Sequence, residues 1–212
     1  MNRPWTFQIL LPLVVIVLLA VSCERILRNL QGNPEISQSQ PSDTSAESET
    51  VVGNQTLDTF DEGQVLQNET AGIAITLPGS WSADSQLHNS AELQASDPDK
   101  QLYLIVVAED ADKLMRLGLK ENAANYREML RQRMTAYESE SATEVAFIDG
   151  DFATQYEVRG RVDENTPVVY LHTTVVSEDR YYQIVAWTTP EQYAEYRSEL
   201  RGIAETFREI ES

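Results

Sequence analysis

The chain is poor in the residues from which reactive sites are most often built. Its 212 residues include one cysteine and two histidines, and 16 lysines and arginines stand against 34 aspartates and glutamates. A single cysteine rules out an internal disulfide, so any folded domain must be held by its core. His88 and His172 lie far apart without a neighbouring cysteine, which gives no zinc-ligand spacing. The net charge of −18 leaves no basic footprint for nucleic acid, and it would be repelled by anionic lipid. Gly-x-Ser-x-Gly, a phosphate-binding loop and a dinucleotide fingerprint are all missing. The expectation is therefore a protein that is not an enzyme and carries no cofactor and no metal.

What is present starts with an address. Arg3 supplies a short positive region, and residues 9–21 carry no polar side chain. That run has the size of a signal-peptide core and falls short of the roughly 20 apolar residues that span a bilayer. It ends in Leu19-Ala20-Val21-Ser22-Cys23, which resembles a bacterial lipobox. The resemblance implies cleavage before Cys23 and a diacylglycerol on its thiol. Residues 1–22 are thus expected to be a lipoprotein signal peptide, with Cys23 lipidated by palmitate-type chains. Two or more such chains, at about 0.8 kcal/mol per buried methylene, hold a protein stably on a membrane. The expected location is the extracytoplasmic face of the cell membrane or outer membrane, with an uncleaved transmembrane anchor as the other reading.

Residues 23–70 are expected to form a lipidated N-terminus and a disordered acidic linker, and residues 71–212 the folded domain. From Glu24 to Glu69 the net charge is −7, and from Gln31 to about Gly63 few large apolar residues appear to offset the entropy of ordering. After Ala71 the patterning changes. Ile73, Ile75 and Leu77 alternate as in a half-buried strand, a short strand is expected at 91–95, and residues 102–108 are apolar on both faces. Leu119, Ala123, Tyr126, Leu130, Met134 and Tyr137 form a helical stripe, leaving Arg127, Glu128 and Arg131 on its wetter surface. A strand at 145–148 meets the hairpin signal Asp149-Gly150. Phe152, Thr154, Tyr156 and Val158 then face one way, and Gln155, Glu157 and Arg159 the other. Residues 168–176 and 181–187 are rich in β-branched and aromatic residues and read as sheet interior. Thr189-Pro190-Glu191-Gln192 is a capping box that opens a second helix, with Tyr193, Tyr196, Leu200, Ile203 and Phe207 on its stripe. This order predicts an α+β class, mainly antiparallel β-sheet flanked by helices.

Three stretches resemble the PsbP-like domain family: Ile73 to Trp81 (Ile-x-Ile-x-Leu-Pro-x-x-Trp), the turn from Ile148 to Ala153, and the closing Tyr-Tyr-x-Ile strand with a helix ending in Thr206-Phe207. That family includes the extrinsic photosystem subunit and many bacterial lipoproteins. The resemblance implies a sheet flanked by helices, an α/β sandwich, and a non-enzymatic binding or assembly role. The resulting expectation is a lipid-anchored module that binds a protein partner in the cell envelope, with a small-ligand-binding lipoprotein as the alternative. Trp81, Trp187 and Tyr181 are the candidates for a ligand or partner surface, against plain packing of the sheet. His172, beside Tyr170 and Thr174, reads as a hydrogen-bonded histidine, and His88 as a solvated one. The acidic loops at 97–99 and 109–112 lack the glycine and distal glutamate of a calcium loop and read as solvated charge.

Overall fold

A computed structural model of the chain describes residues 48–60, 63–110 and 118–210. The expected signal peptide, Cys23 and the linker through residue 47 lie outside the described residues. The elements run β1 (Ser48–Val52), β2 (Gln55–Phe60), β3 (Gly63–Asn68), β4 (Ile73–Leu77), β5 (Ser82–Ala83), β6 (Leu93–Asp97), β7 (Leu102–Asp110), α1 (Leu119–Gln132), β8 (Ala136–Ala142), β9 (Phe147–Ile148), β10 (Asp151–Arg161), β11 (Pro167–Val176), β12 (Arg180–Thr188), α2 (Pro190–Glu205) and β13 (Arg208–Glu209). They form two antiparallel sheets. The smaller has the order β1-β2-β3-β4-β13, and the larger β5-β6-β7-β12-β11-β10-β8, with β9 pairing β10. No described helix is long and apolar enough to cross a membrane.

Strand alternation divides the large sheet between two cores. Leu102, Leu104 and Val106 of β7 and Tyr182, Ile184 and Ala186 of β12 face the main core with Leu66, Ile75, Leu200 and Phe207. The intervening Ile105 and Val185 face a smaller core with Leu130, where Tyr126 and Trp187 pack. The small sheet and α2 thus cover one face and α1 the other. Helix α2 begins as the capping box predicts, with Pro190 in its first turn and the Thr189 hydroxyl accepting from Gln192 N at 3.3 Å. It ends at Thr206, whose hydroxyl donates to Ile203 O at 2.7 Å and accepts from Thr76 N at 2.8 Å, tying the helix end to β4.

Four expectations need correction. The folded domain begins well before Ala71, since β1, β2 and β3 lie in the segment read as linker. Its polar side chains are stitches between the sheets. Gln55 is 2% exposed; its Nε2 donates to Gln94 O at 2.9 Å while its Oε1 accepts from Gln94 N at 2.7 Å. Gln64 donates to Trp81 O at 2.9 Å and Asn68 to Glu92 O at 3.0 Å. Buried amides satisfied in this way are compatible with a core, and composition alone cannot distinguish them from a solvated tether.

The first helix also stops sooner than its stripe implies. Arg133 caps it and Tyr137 lies exposed in β8, a strand not expected from the sequence. All seven β8 residues are exposed, so no alternation of apolar residues marks it. Third, Arg127 is only 8% exposed, packed over the Tyr156 ring at 3.5 Å. Fourth, the strand expected at 145–148 shrinks to the two residues of β9.

Candidate functional site

Beneath α1 the large sheet places polar side chains where its alternation would otherwise put apolar ones. Gln183 of β12 and His172 of β11 are both fully buried. Gln183 Nε2 donates to Glu109 Oε2 at 2.7 Å and to Asn122 Oδ1 at 2.6 Å. Its Oε1 accepts from Thr174 Oγ1 at 2.8 Å and lies 2.8 Å from His172 Nε2. A carboxylate only accepts, so the amide nitrogen must face Glu109 and the amide oxygen must face the imidazole. The network therefore assigns the tautomer of neutral His172: Nε2 carries the proton, and Nδ1 carries the lone pair. Nδ1 has no hydrogen-bond partner among the described residues.

Burial drives the His172 pKa down to about 4, opposed by the Gln183 hydrogen bond and reinforced by the Arg127 charge. The ring is further held by Tyr126, stacked at 5.0 Å and 13°. Burial, and then the Glu109 charge, push the Tyr126 phenol up to about 12. Arg127 faces Glu140 across 3.4 Å as a charge pair without hydrogen-bond geometry at Nε. The imidazole is thus kept neutral at pH 7 and fixed in one tautomer. It belongs to neither of the two described cavities, so the arrangement orders α1 on the sheet rather than presenting a base to solvent.

Glu109 and Tyr126 carry this network to the surface. With His88, Ser90, Met129 and Arg133 they line a groove of about 160 Å³. On the other side of His88 a broad polar depression of about 480 Å³ runs along Asn89, Glu92 and Gln94 to Asn54. His88 is half-buried rather than simply solvated. Burial and the Arg133 charge lower its pKa, and its Nδ1 accepts from Ser90 N at 3.3 Å.

The three aromatic candidates are not brought together. Trp81 is 2% exposed in the main core, with Nε1 donating to Glu199 Oε1 at 2.9 Å. Trp187 sits on the opposite face of the large sheet, stacked on Tyr103 at 5.4 Å and tilted against Tyr170 at 6.4 Å. Tyr181 shares that face, but it lies six positions from Trp187, about 20 Å along β12. Its neighbours across the sheet are Val176 of β11 and Glu109 of β7. The row continues through Val176 to Phe152 of β10 and Phe147 of β9, and these two phenylalanines stand in solvent. The sequence marks Phe152 only as part of a strand face, and it does not single out Phe147, Gln183 or Asn122. The hairpin signal at Asp149-Gly150 was the available clue to the phenylalanines, since it fixes which flanking residues emerge together.

Of the acidic loops, Asp97 turns inward on its own loop: its carboxylate meets Lys100 Nζ at 3.0 Å and accepts from Lys100 N at 3.3 Å. Among the described residues no cluster of three or more metal-ligating side chains forms.

No protein-family model matches the chain, and no curated protein sequence does. Solved structures do. Cyanobacterial PsbP (CyanoP) from Synechocystis sp. PCC 6803 aligns over 72% of this chain and 95% of its own, with a TM-score of 0.52 and 15% identity. LpqN of Mycobacterium tuberculosis, described as involved in cell envelope biogenesis, aligns over 78% of this chain and 91% of its own, at a TM-score of 0.44 and 14% identity. A Pseudomonas aeruginosa protein of unknown function, described as a putative regulator, aligns over 76% of this chain and 94% of its own, at 0.39 and 11%. The last two superpose too loosely to bear on the fold. At 15% identity the CyanoP likeness concerns fold alone, and it agrees with the resemblance carried by Ile73 to Trp81, the Asp149-Gly150 turn and the Thr206-Phe207 helix end. The described domain has the PsbP-like fold.

Proposed function

We propose that the chain is a lipid-anchored extracytoplasmic protein whose domain binds a protein partner in the cell envelope without catalysing a reaction. The address rests on the apolar run closed by the lone Cys23. The observation that favours a protein partner over a small ligand is the dispersal of Trp81, Trp187 and Tyr181. A carrier would line a cavity between helix and sheet with such residues, and binding pockets of that kind hold roughly 300–1,000 Å³ with mostly apolar walls. Here Trp81 is packed and hydrogen-bonded inside the core. The groove beside α1 encloses about 160 Å³, and the larger depression is lined by polar side chains. The test is crosslinking in intact envelope followed by purification of the full-length chain. A partner recovered in stoichiometric amount is expected, and recovery of nothing above the uncrosslinked background would count against the reading.

A further inference from the structure

The hairpin joining β9 to β10 holds two phenylalanines in water. Phe147 is 59% exposed and Phe152 63%, and their rings lie 5.0 Å apart with planes tilted by 38°. This exposure is built into the backbone. Asp149 and Gly150 both adopt the left-handed region, at φ 52° and 87°, the geometry of a tight two-residue hairpin turn. The turn sets Phe152 opposite Phe147. Alternation then sends Ile148 and Ala153 into the core, at 3% and 6% exposure, and leaves both rings outside. Half-buried Val176, opposite Phe152, extends the apolar strip.

The rim of this strip is acidic. Asp149 of the hairpin turn and Glu178 and Asp179 of the β11–β12 turn are exposed. Half-buried Asp151, paired with core-facing Ile148, and Glu209, which accepts from the Tyr182 hydroxyl, belong to the core face of the sheet. Burial, followed by the charges of Glu209, Asp149 and Glu178, raises the Asp151 carboxyl, so those three acids lie within electrostatic range of Asp151. Arg180, next to them in the chain, is engaged with the domain, its Nη1 donating to Ala71 O at 2.8 Å.

We propose that the Phe147–Phe152 tip is a docking surface for a basic protein segment, with an arginine stacked on the phenylalanine rings and further cations on the acidic rim. The inference rests on the partner-binding reading above and names its surface and the chemistry of its occupant. Aromatic faces attract guanidinium groups, and aromatic and arginine side chains are the ones enriched at interface centres. Charge disfavours two rival occupants. Anionic lipid would be repelled by the rim, and so would a second copy of a chain with net charge −18.

The probe is a synthetic peptide alternating arginine and leucine, titrated into the full-length protein in detergent micelles and followed by backbone amide resonances. Saturable shifts centred on Gly150 and Phe152 are expected. The double variant F147S/F152S should weaken binding by about tenfold or more, as for loss of a central interface contact. E178Q/D179N, which leaves the rings in place, should weaken it several-fold with a shallower salt dependence. Undisturbed resonances elsewhere establish that both variants fold. No saturable shift, unchanged affinity in F147S/F152S, or equal binding of a glutamate–leucine peptide would overturn the proposal. So would shifts at the tip produced by phosphatidylcholine vesicles but not by the peptide, which would assign the rings to the bilayer. A photoreactive residue in place of Phe152 or of Met129, which is 46% exposed on α1, separates the two readings in intact envelope. Capture of an arginine- or lysine-rich segment at position 152 is the expected result. Capture only at 129, or of a segment without basic residues at 152, overturns the tip and leaves partner binding standing, and capture at neither position overturns both.

Discussion

At the scale of single residues, His172 and Gln55 show how much of this domain is specified by buried polar groups. His172 in the fold has a pKa of about 4 against an ordinary value of 6.5. The unfolded chain therefore takes up a proton in a pH range where the fold refuses it. Stability from this group is complete above pH 6.5 and is lost as pH falls toward 4, in all about 3 kcal/mol. About 2 kcal/mol of this should be gone by pH 5. Urea titrations at pH 7 and pH 5 on the wild type and on His172→Gln should show the difference, with the variant's stability changing less between the two. Parallel pH dependence in both proteins would mean that the imidazole is not kept neutral by burial. Carboxylates add their own acid lability at lower pH. Glu157, which burial alone would raise, is held below its ordinary value by the Tyr193 hydroxyl and by Arg159 and Arg201, so its contribution disappears only as pH falls below that ordinary range. Gln55→Ala removes the acceptor for Gln94 N and the donor to Gln94 O. Gln94 O keeps the Asp84 amide at 2.9 Å, but Gln94 N is left without its acceptor. An unpaired buried group costs about 1–3 kcal/mol, to be read as a lowered urea midpoint with an unchanged slope.

At the scale of elements, the sequence was readable wherever side-chain period and burial coincide. Alternating Ile73, Ile75 and Leu77 became β4, the two-sided apolar run became β7, and the capping box became the start of α2. It was unreadable where tertiary context supplies what period does not. β1 to β3 look like tether because Gln55, Gln64 and Asn68 are polar, yet each is buried through hydrogen bonds to residues 14 to 39 positions away. Arg127 looked solvated because a cation normally is, but Tyr156 and Glu140 receive it. Strand β8 depends on pairing with β10 across an irregularity between Arg159 and Gly160. A Cβ at Gly160 would come within 2.4 Å of Ala136 O and 2.6 Å of Met134 Sδ. The first is backbone and cannot turn aside, so Gly160→Ala should cost about 1–3 kcal/mol. Faster hydrogen exchange at the β8 amides, with α2 unaffected, is the expected signature; unchanged protection in β8 would show that the strand tolerates the added methyl. The aromatic candidates failed to converge for a related reason, since neighbours in sequence do not reveal which face of a sheet each will join.

At the scale of the whole molecule, an acidic folded domain with an exposed aromatic tip follows a segment whose sequence reads as a membrane address. From Ala71 onward the net charge is −12, so contact with an anionic bilayer through the domain surface is unfavourable. Attachment would then fall to Cys23, and Cys23→Ser should shift the protein from the membrane fraction to the soluble one or leave it as uncleaved precursor. The partner binding proposed at the hairpin requires that address, because it decides which proteins the domain can meet. Mass spectrometry of the N-terminal peptide from protein purified out of the envelope reads it directly. Cys23 as first residue, with a diacylglyceryl group on its sulfur, is the expected result. Retention of Met1, or a free thiol at Cys23, would contradict the lipid anchor and the envelope role built on it.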